Sequence, residues 1–224
     1  MKHAYARSLP MVLAVLTWTA TASAQTPPPE CTGLLPNNVI DMTVRPAAFR
    51  DVVGTVGHDV WAFRGQFVPF TSFEINLGPD GPGQQISLIL SRTSDDAVLY
   101  SKTLGPPDFQ TYGSAHNKWR HNITAAQAVP GDTWRVARIR TSKAPTAPAF
   151  LNRLKFGLQG VFEPAVELVD QNGPVGMRVT LRIEPTGPTT CADDPSLCLC
   201  ATYPLTCSTP GPNGTFKCFS APTN

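Results

Sequence analysis

The chain reads as all-β: an antiparallel, jelly-roll-like β-sandwich of about nine strands with a disulfide-rich C-terminal tail. Three observations carry that reading. No stretch of a dozen residues places apolar side chains at 3.6-residue spacing without an interrupting glycine or proline; 23 prolines and 17 glycines punctuate the chain instead. Between them lie short runs that alternate apolar and polar residues, or that concentrate β-branched and aromatic ones. Five of the six cysteines crowd into residues 191–218, beginning with CADDPSLCLCATYPLTC.

In chain order the first element is a secretory signal over residues 1–24. Lys2 and Arg7 form its positive end, MVLAVLTW (11–18) its apolar centre, and Ala22-Ser23-Ala24 a small-residue cleavage site. That apolar run is well short of the ~20 residues a membrane-spanning helix needs, and no later segment approaches that length. A secreted protein, extracellular or periplasmic and without a transmembrane segment, is expected.

The β-domain occupies residues 25–184. Its strands are VIDMTV (39–44), DVWAFRG (59–65), FTSFEINL (70–77), QISLILSR (85–92), AVLYSK (97–102), KWRHNIT (118–124), TWRVARIRT (133–141), RLKFGLQGVF (153–162) and MRVTLRIE (177–184). Period-2 alternation assigns their faces. Val179, Leu181 and Ile183 point inward while Arg178, Thr180, Arg182 and Glu184 point outward; Leu154, Phe156 and Leu158 point inward while Arg153 and Lys155 point outward. The continuous run ISLIL marks a central strand covered on both sides. GPPDFQTYGSAHN (105–117) and APTAPA (144–149) read as loops, and SDDA around Asp95 and Asp96 reads as a turn. About 150 residues of strand and turn suffice for one core, so the domain is expected to fold without the residues C-terminal to it.

Apolar periodicity stops at EPTGPTT (184–190), which sets off residues 185–224 as a Cys-rich, Pro/Gly-rich tail. A tetrahedral metal site wants paired Cys and His ligands, but the tail spacing is C-x6-C-x-C-x6-C-x10-C and the last histidine of the chain is His121. In an exported chain the reading is disulfides through Cys31, Cys191, Cys198, Cys200, Cys207 and Cys218, with no metal and no cofactor. Parity adds a constraint. Five tail cysteines cannot all pair among themselves, so a fully bridged chain joins Cys31 to the tail. Cys198 and Cys200, one residue apart, take separate partners. Fifteen connectivities remain possible for six cysteines.

Without Lys2 and Arg7 the chain carries sixteen basic and sixteen acidic residues, so charge matters through its distribution. Residues 25–117 hold 5 basic against 9 acidic, residues 118–182 hold 10 against 4, and the remainder 1 against 3. The basic middle block suits an anion-facing surface. If RLKFGLQGVF and MRVTLRIE are neighbours, Arg153, Lys155, Arg178 and Arg182 form one positive patch. Tyr112, in a Gly- and Asp-bearing loop, is the aromatic most exposed for stacking on a sugar ring, whereas Trp61, Trp119 and Trp134 suit a core as well as a platform.

Catalytic signatures are lacking: no G-x-S-x-G is present, and only His58, His116 and His121 survive signal removal. From Asp59 to Thr141 the order of DVWAF, LILSRTSDDAVLYSK and VPGDTWRVARI resembles the pre-peptidase C-terminal type of β-sandwich, an accessory domain of secreted bacterial enzymes. The resemblance implies a non-catalytic module that assists binding, targeting or solubility, and it assigns no residue a role. The expected function is therefore that of a secreted, non-enzymatic binding or surface-associated protein. Its partner would be an acidic polysaccharide or cell-surface component, and no nucleic acid is expected. Two alternatives are a self-associating structural component of an extracellular or envelope layer, and a small secreted hydrolase whose site would need one of the three histidines beside a carboxylate.

Overall fold

Alternating strands bury one face each, and here they do so as two layers closed over a shared interior. The computed structural model describes residues 29–34, 39–41, 43–44, 47–50, 59–67, 75–79, 83–113, 117–124, 127, 134–143, 152–162, 175–209 and 215–220. Among them are thirteen strands, ten of four residues or more, and no α-helix. The first layer runs β6 (Val98–Leu104), β5 (Gln84–Arg92), β11 (Val175–Pro185) and β12 (Leu199–Cys207), with β1 (Val39–Asp41) parallel to β12. The second runs β3 (Ala47–Arg50), β4 (Asp59–Phe67), β10 (Asn152–Phe162), β9 (Trp134–Lys143), β8 (Lys118–Asn122) and β7 (Gln110–Tyr112), with β2 (Thr43–Val44) against β4. The last strand, β13 (Thr215–Ser220), pairs with both β12 and β3 and so joins the layers.

Register stacks the apolar positions. In the first layer Leu90 faces Val179, Leu88 faces Leu181, and Ile86 faces Ile183, which continues to Leu199. In the second, Phe63 aligns with Leu158 and Ala137, and Phe156 with Ile139 and Trp119. All of these side chains belong to one buried cluster. Each fully buried Leu, Ile or Phe stabilises by about 1.5–3 kcal/mol relative to exposure, which makes this cluster the main source of stability.

Eight of the expected strands are present, and VIDMTV is divided into β1 and β2. The exception is FTSFEINL: Ile75–Leu77 lie outside any strand, and 70–74 fall outside the described residues. The expected loop 105–117 holds a 3-10 turn at Pro106–Asp108 and then β7. The signal segment 1–24 and APTAPA lie outside the described residues.

The boundary expected after Glu184 is not a packing boundary. Residues 199–220 supply β12 and β13, and Leu199, Ala201, Leu205, Cys207 and Cys218 are part of the main core. The disulfides are Cys31–Cys200, Cys191–Cys198 and Cys207–Cys218. Cys31 is thus bridged to the tail, and Cys198 and Cys200 have separate partners, as parity and spacing require. A second, smaller core of Cys31, Leu34, Cys191, Cys198 and Cys200, with Leu197 against it, covers the outward side of β12. Because the 3-10 turn Pro29–Cys31 and the 191–198 segment lie over this outer face, one side of the first layer is roofed by its own chain.

Candidate functional site

The two layers treat their outward cations in opposite ways. On the first, Arg178 is only 17% exposed and donates to Glu30 at 3.0 Å and to Asp96 at 2.7 Å. Burial disfavours its charge, but the bonds to Asp96 and Glu30 outweigh that penalty and hold its pKa above the ordinary value. Arg182 bonds Glu184 at 2.7 Å and reaches the carbonyls of Glu30 and Thr32. Both arginines fasten the N-terminal segment to β11. Their guanidinium groups are consumed by the fold.

Among the residues whose side chains are described, the second layer turns six cations outward. Across the strands one row reads Tyr112, Lys118, Arg140, Lys155 and Gln66; the next reads Gln110, Arg120, Arg138, Gly157 and Arg64. Each row results from parity, because Trp119, Ile139, Phe156 and Leu158 occupy the alternate positions and face the core. Neighbouring strands are ~4.8 Å apart and alternate residues along a strand ~7 Å apart, so the charges form a grid of that mesh. The four arginines are exposed, while Lys118 and Lys155 are half-buried. Like charges directly opposite one another destabilise a sheet, and Lys118–Arg140–Lys155 places three in sequence. Two unit charges ~7 Å apart in water repel by roughly 0.6 kcal/mol before salt screens them. Among the described residues every ion pair lies elsewhere.

Tyr112, 36% exposed, ends the first row at the sheet edge. The Lys118 ammonium lies 6.0 Å and the Arg120 guanidinium 5.6 Å from its ring centre, so the ring and the cations form one continuous surface. Arg120 also donates to Gln110 at 3.2 Å.

The four-cation patch expected from sequence is not formed. Its premise was that β10 and β11 are neighbours; β10 instead lies between β4 and β9, and β11 between β5 and β12. Lys155 and Tyr112 share the second-layer face, with Arg153 on the same strand though its side chain falls outside the described residues. Arg178 and Arg182 belong to the other layer. Sequence reasoning missed Arg64, Lys118, Arg120, Arg138 and Arg140. Four of these lie in the basic 118–182 block; Arg138 and Arg140 share one parity of β9, and Arg135 falls at the bulge opposite Gln159/Gly160. Arg64 has no local signal at all. It joins the grid only through the β4–β10 pairing.

No protein-family model, curated protein or solved structure matches this chain. The site must be read from its own chemistry. Of the three histidines, His58 and His116 fall outside the described residues, and His121 is 9% exposed with its Nδ1 3.0 Å from the Asp108 carbonyl. Trp119 is a core residue, 2% exposed. The side chains of Trp61 and Trp134 fall outside the described residues. The cationic face of β8, β9, β10 and β4 is therefore the candidate site. It can hold an extended polyanion by multiple charge-assisted hydrogen bonds.

Proposed function

We propose that this protein is a secreted, non-enzymatic β-sandwich that binds an acidic polysaccharide on the β4–β10–β9–β8 face. The observation that carries the reading is the contrast between layers: the outward arginines of the first, Arg178 and Arg182, have carboxylate partners, while six outward cations on the second have none among the described residues. A grid that repels itself is relieved when an anionic polymer lies across it. Three disulfides suit an oxidising compartment, where acidic glycans are the common polyanions. A membrane surface is the poorer fit, because interfacial binding takes apolar side chains beside the cations. Among the described residues the exposed large hydrophobics are Val98, Tyr112 and Phe219, of which only Tyr112 borders the grid. The non-catalytic role that the pre-peptidase C-terminal resemblance implies agrees with this reading.

Binding is tested by calorimetry on heparin and alginate over a salt series, with neutral dextran as control. The wild-type protein should bind both acidic polymers at low salt, lose affinity steeply toward physiological salt, and ignore dextran. Arg138→Ser with Arg140→Ser should weaken binding roughly tenfold, the ~1.4 kcal/mol that two partly solvated ion contacts supply. Arg178→Ser with Arg182→Ser should leave affinity unchanged. A wild-type protein that binds neither acidic polymer at low salt would overturn the proposal.

A further inference from the structure

We infer that Gly157 is the floor of an oxyanion subsite walled by Arg64, Arg138 and Lys155, which receives one sulfate or carboxylate group of the polysaccharide; the inference rests on the proposed function. A glycine inside a strand weakens it and asks for a reason. Gly157 is the sixth residue of the eleven-residue β10. Two ordinary reasons fail here. The described glycines with left-handed backbone are Gly33, Gly83 and Gly113, so conformation does not require one at 157. Nor does packing: a Cβ built on Gly157 meets nothing closer than Arg64 Cγ at 3.9 Å, an ordinary contact. Gly176 on β11 shows the contrary case, since its Cβ would run into the Thr93 hydroxyl. What remains at Gly157 is clearance on the outward face.

That clearance lies within the charge grid. Arg138 on β9 and Arg64 on β4 are the register partners of Gly157 on either side, and Lys155 is two residues away on the same strand and face. The two guanidinium stems are thus separated by two strand spacings, ~10 Å, with bare backbone between them. The gap admits an oxyanion at the level where other positions carry a Cβ. Planar guanidinium groups from both sides can then donate in parallel pairs, the geometry that carboxylate and sulfate oxygens accept. The backbone groups of Gly157 are engaged by the sheet, so the glycine contributes space and the side chains contribute the bonds.

An uncharged substitution separates this subsite from general attraction, because it fills the space and leaves the field of the face intact. Gly157→Thr and Gly157→Ala should keep or raise the melting temperature, since Thr suits a strand and the Cβ fits. Affinity for heparin and alginate should fall about tenfold for Thr and less for Ala, with a shallower salt dependence. Ser101→Thr, an uncharged and exposed position on β6 of the other layer, should change neither quantity. Wild-type protein that binds while Gly157→Thr binds equally, with the same salt slope, would overturn the subsite and leave the proposed function standing. A lowered melting temperature in both glycine variants would make the glycine a structural requirement and overturn the subsite as well. Failure of the wild-type protein to bind either polymer would remove the function reading itself and the subsite with it.

Discussion

Arg178 donates to Glu30 and Asp96 together, so truncating it strips two carboxylates of their partner at once. The Glu30 side chain is only 2% exposed and would be left buried without its partner. Arg178→Ser should therefore cost roughly 2–3 kcal/mol in denaturant unfolding, less than the ~3–5 of a fully buried pair because the guanidinium is partly hydrated. Arg138→Ser should cost nothing, or slightly stabilise, since it removes a like-charge neighbour of Arg120. Titration adds a second residue-scale test. A bond from the Ala97 amide holds the Asp95 carboxyl below its ordinary value of 3.8, and the Thr190 hydroxyl does the same for Asp193. Folded-state values depressed in this way mean stability that is complete above the unfolded value and lost as pH falls through the folded one. The melting temperature should fall on acidification below about 3.8, and Asp95→Asn with Asp193→Asn should flatten that fall. A wild-type curve equal to that of the double variant would remove the assignment.

At the scale of elements, β12 has the largest consequences. It pairs with β11 over nine residues, carries Leu199, Ala201 and Leu205 into the core, and takes β1 along its other edge. On strand length and apolar content alone, residues 31–184 are expected to fold by themselves. Ending the chain at Glu184 would instead expose the β11 edge and remove both β12 and β13. Such a truncated chain, with Cys31→Ser, should lack a cooperative thermal transition in circular dichroism. A sharp melt would show that the tail strands are dispensable. Among the described strands β6 is an edge, and it is guarded differently: Lys102 aligns with Leu88, on the inward parity of the strand, which discourages edge-to-edge pairing.

For the whole molecule, Cys31–Cys200 joins residues 169 positions apart and ties the first described turn to a central strand of the first layer. By loop entropy such a bridge stabilises by up to ~5 kcal/mol, with measured values commonly lower. Cys31→Ser with Cys200→Ser should lower the unfolding free energy by several kcal/mol and free the N-terminal segment for proteolysis, leaving polysaccharide affinity intact because the bridge lies on the opposite layer. Non-reducing peptide mapping should recover the Cys31 and Cys200 peptides joined. Finding Cys31 as a free thiol would contradict it. Among the described residues, one layer is thus stapled and roofed, and the other is open and charged.

Local chemistry determined much of this protein. Period-2 alternation placed Val179, Leu181 and Ile183 inward and Arg178 and Arg182 outward, because adjacent Cβ atoms on a strand must face opposite ways. Cysteine parity dictated a bridge from Cys31 into the tail whatever the geometry. The β12 strand was hidden because LCATYPLTC spends its outward positions on Cys200, Thr202 and Pro204, which read as tail chemistry until Cys31 and β11 surround them. Which outward cations meet was beyond local pattern altogether. Parity assigns a residue to a face of its own strand, but the neighbour of that strand is chosen by long-range pairing, and that choice set Lys155 beside Arg140 rather than Arg178. It also brought Arg64 from an acidic stretch of chain to within one strand of Gly157. Hydrogen bonding between strands distant in sequence, which minimises exposed apolar surface over the whole chain, decided where the charge collects.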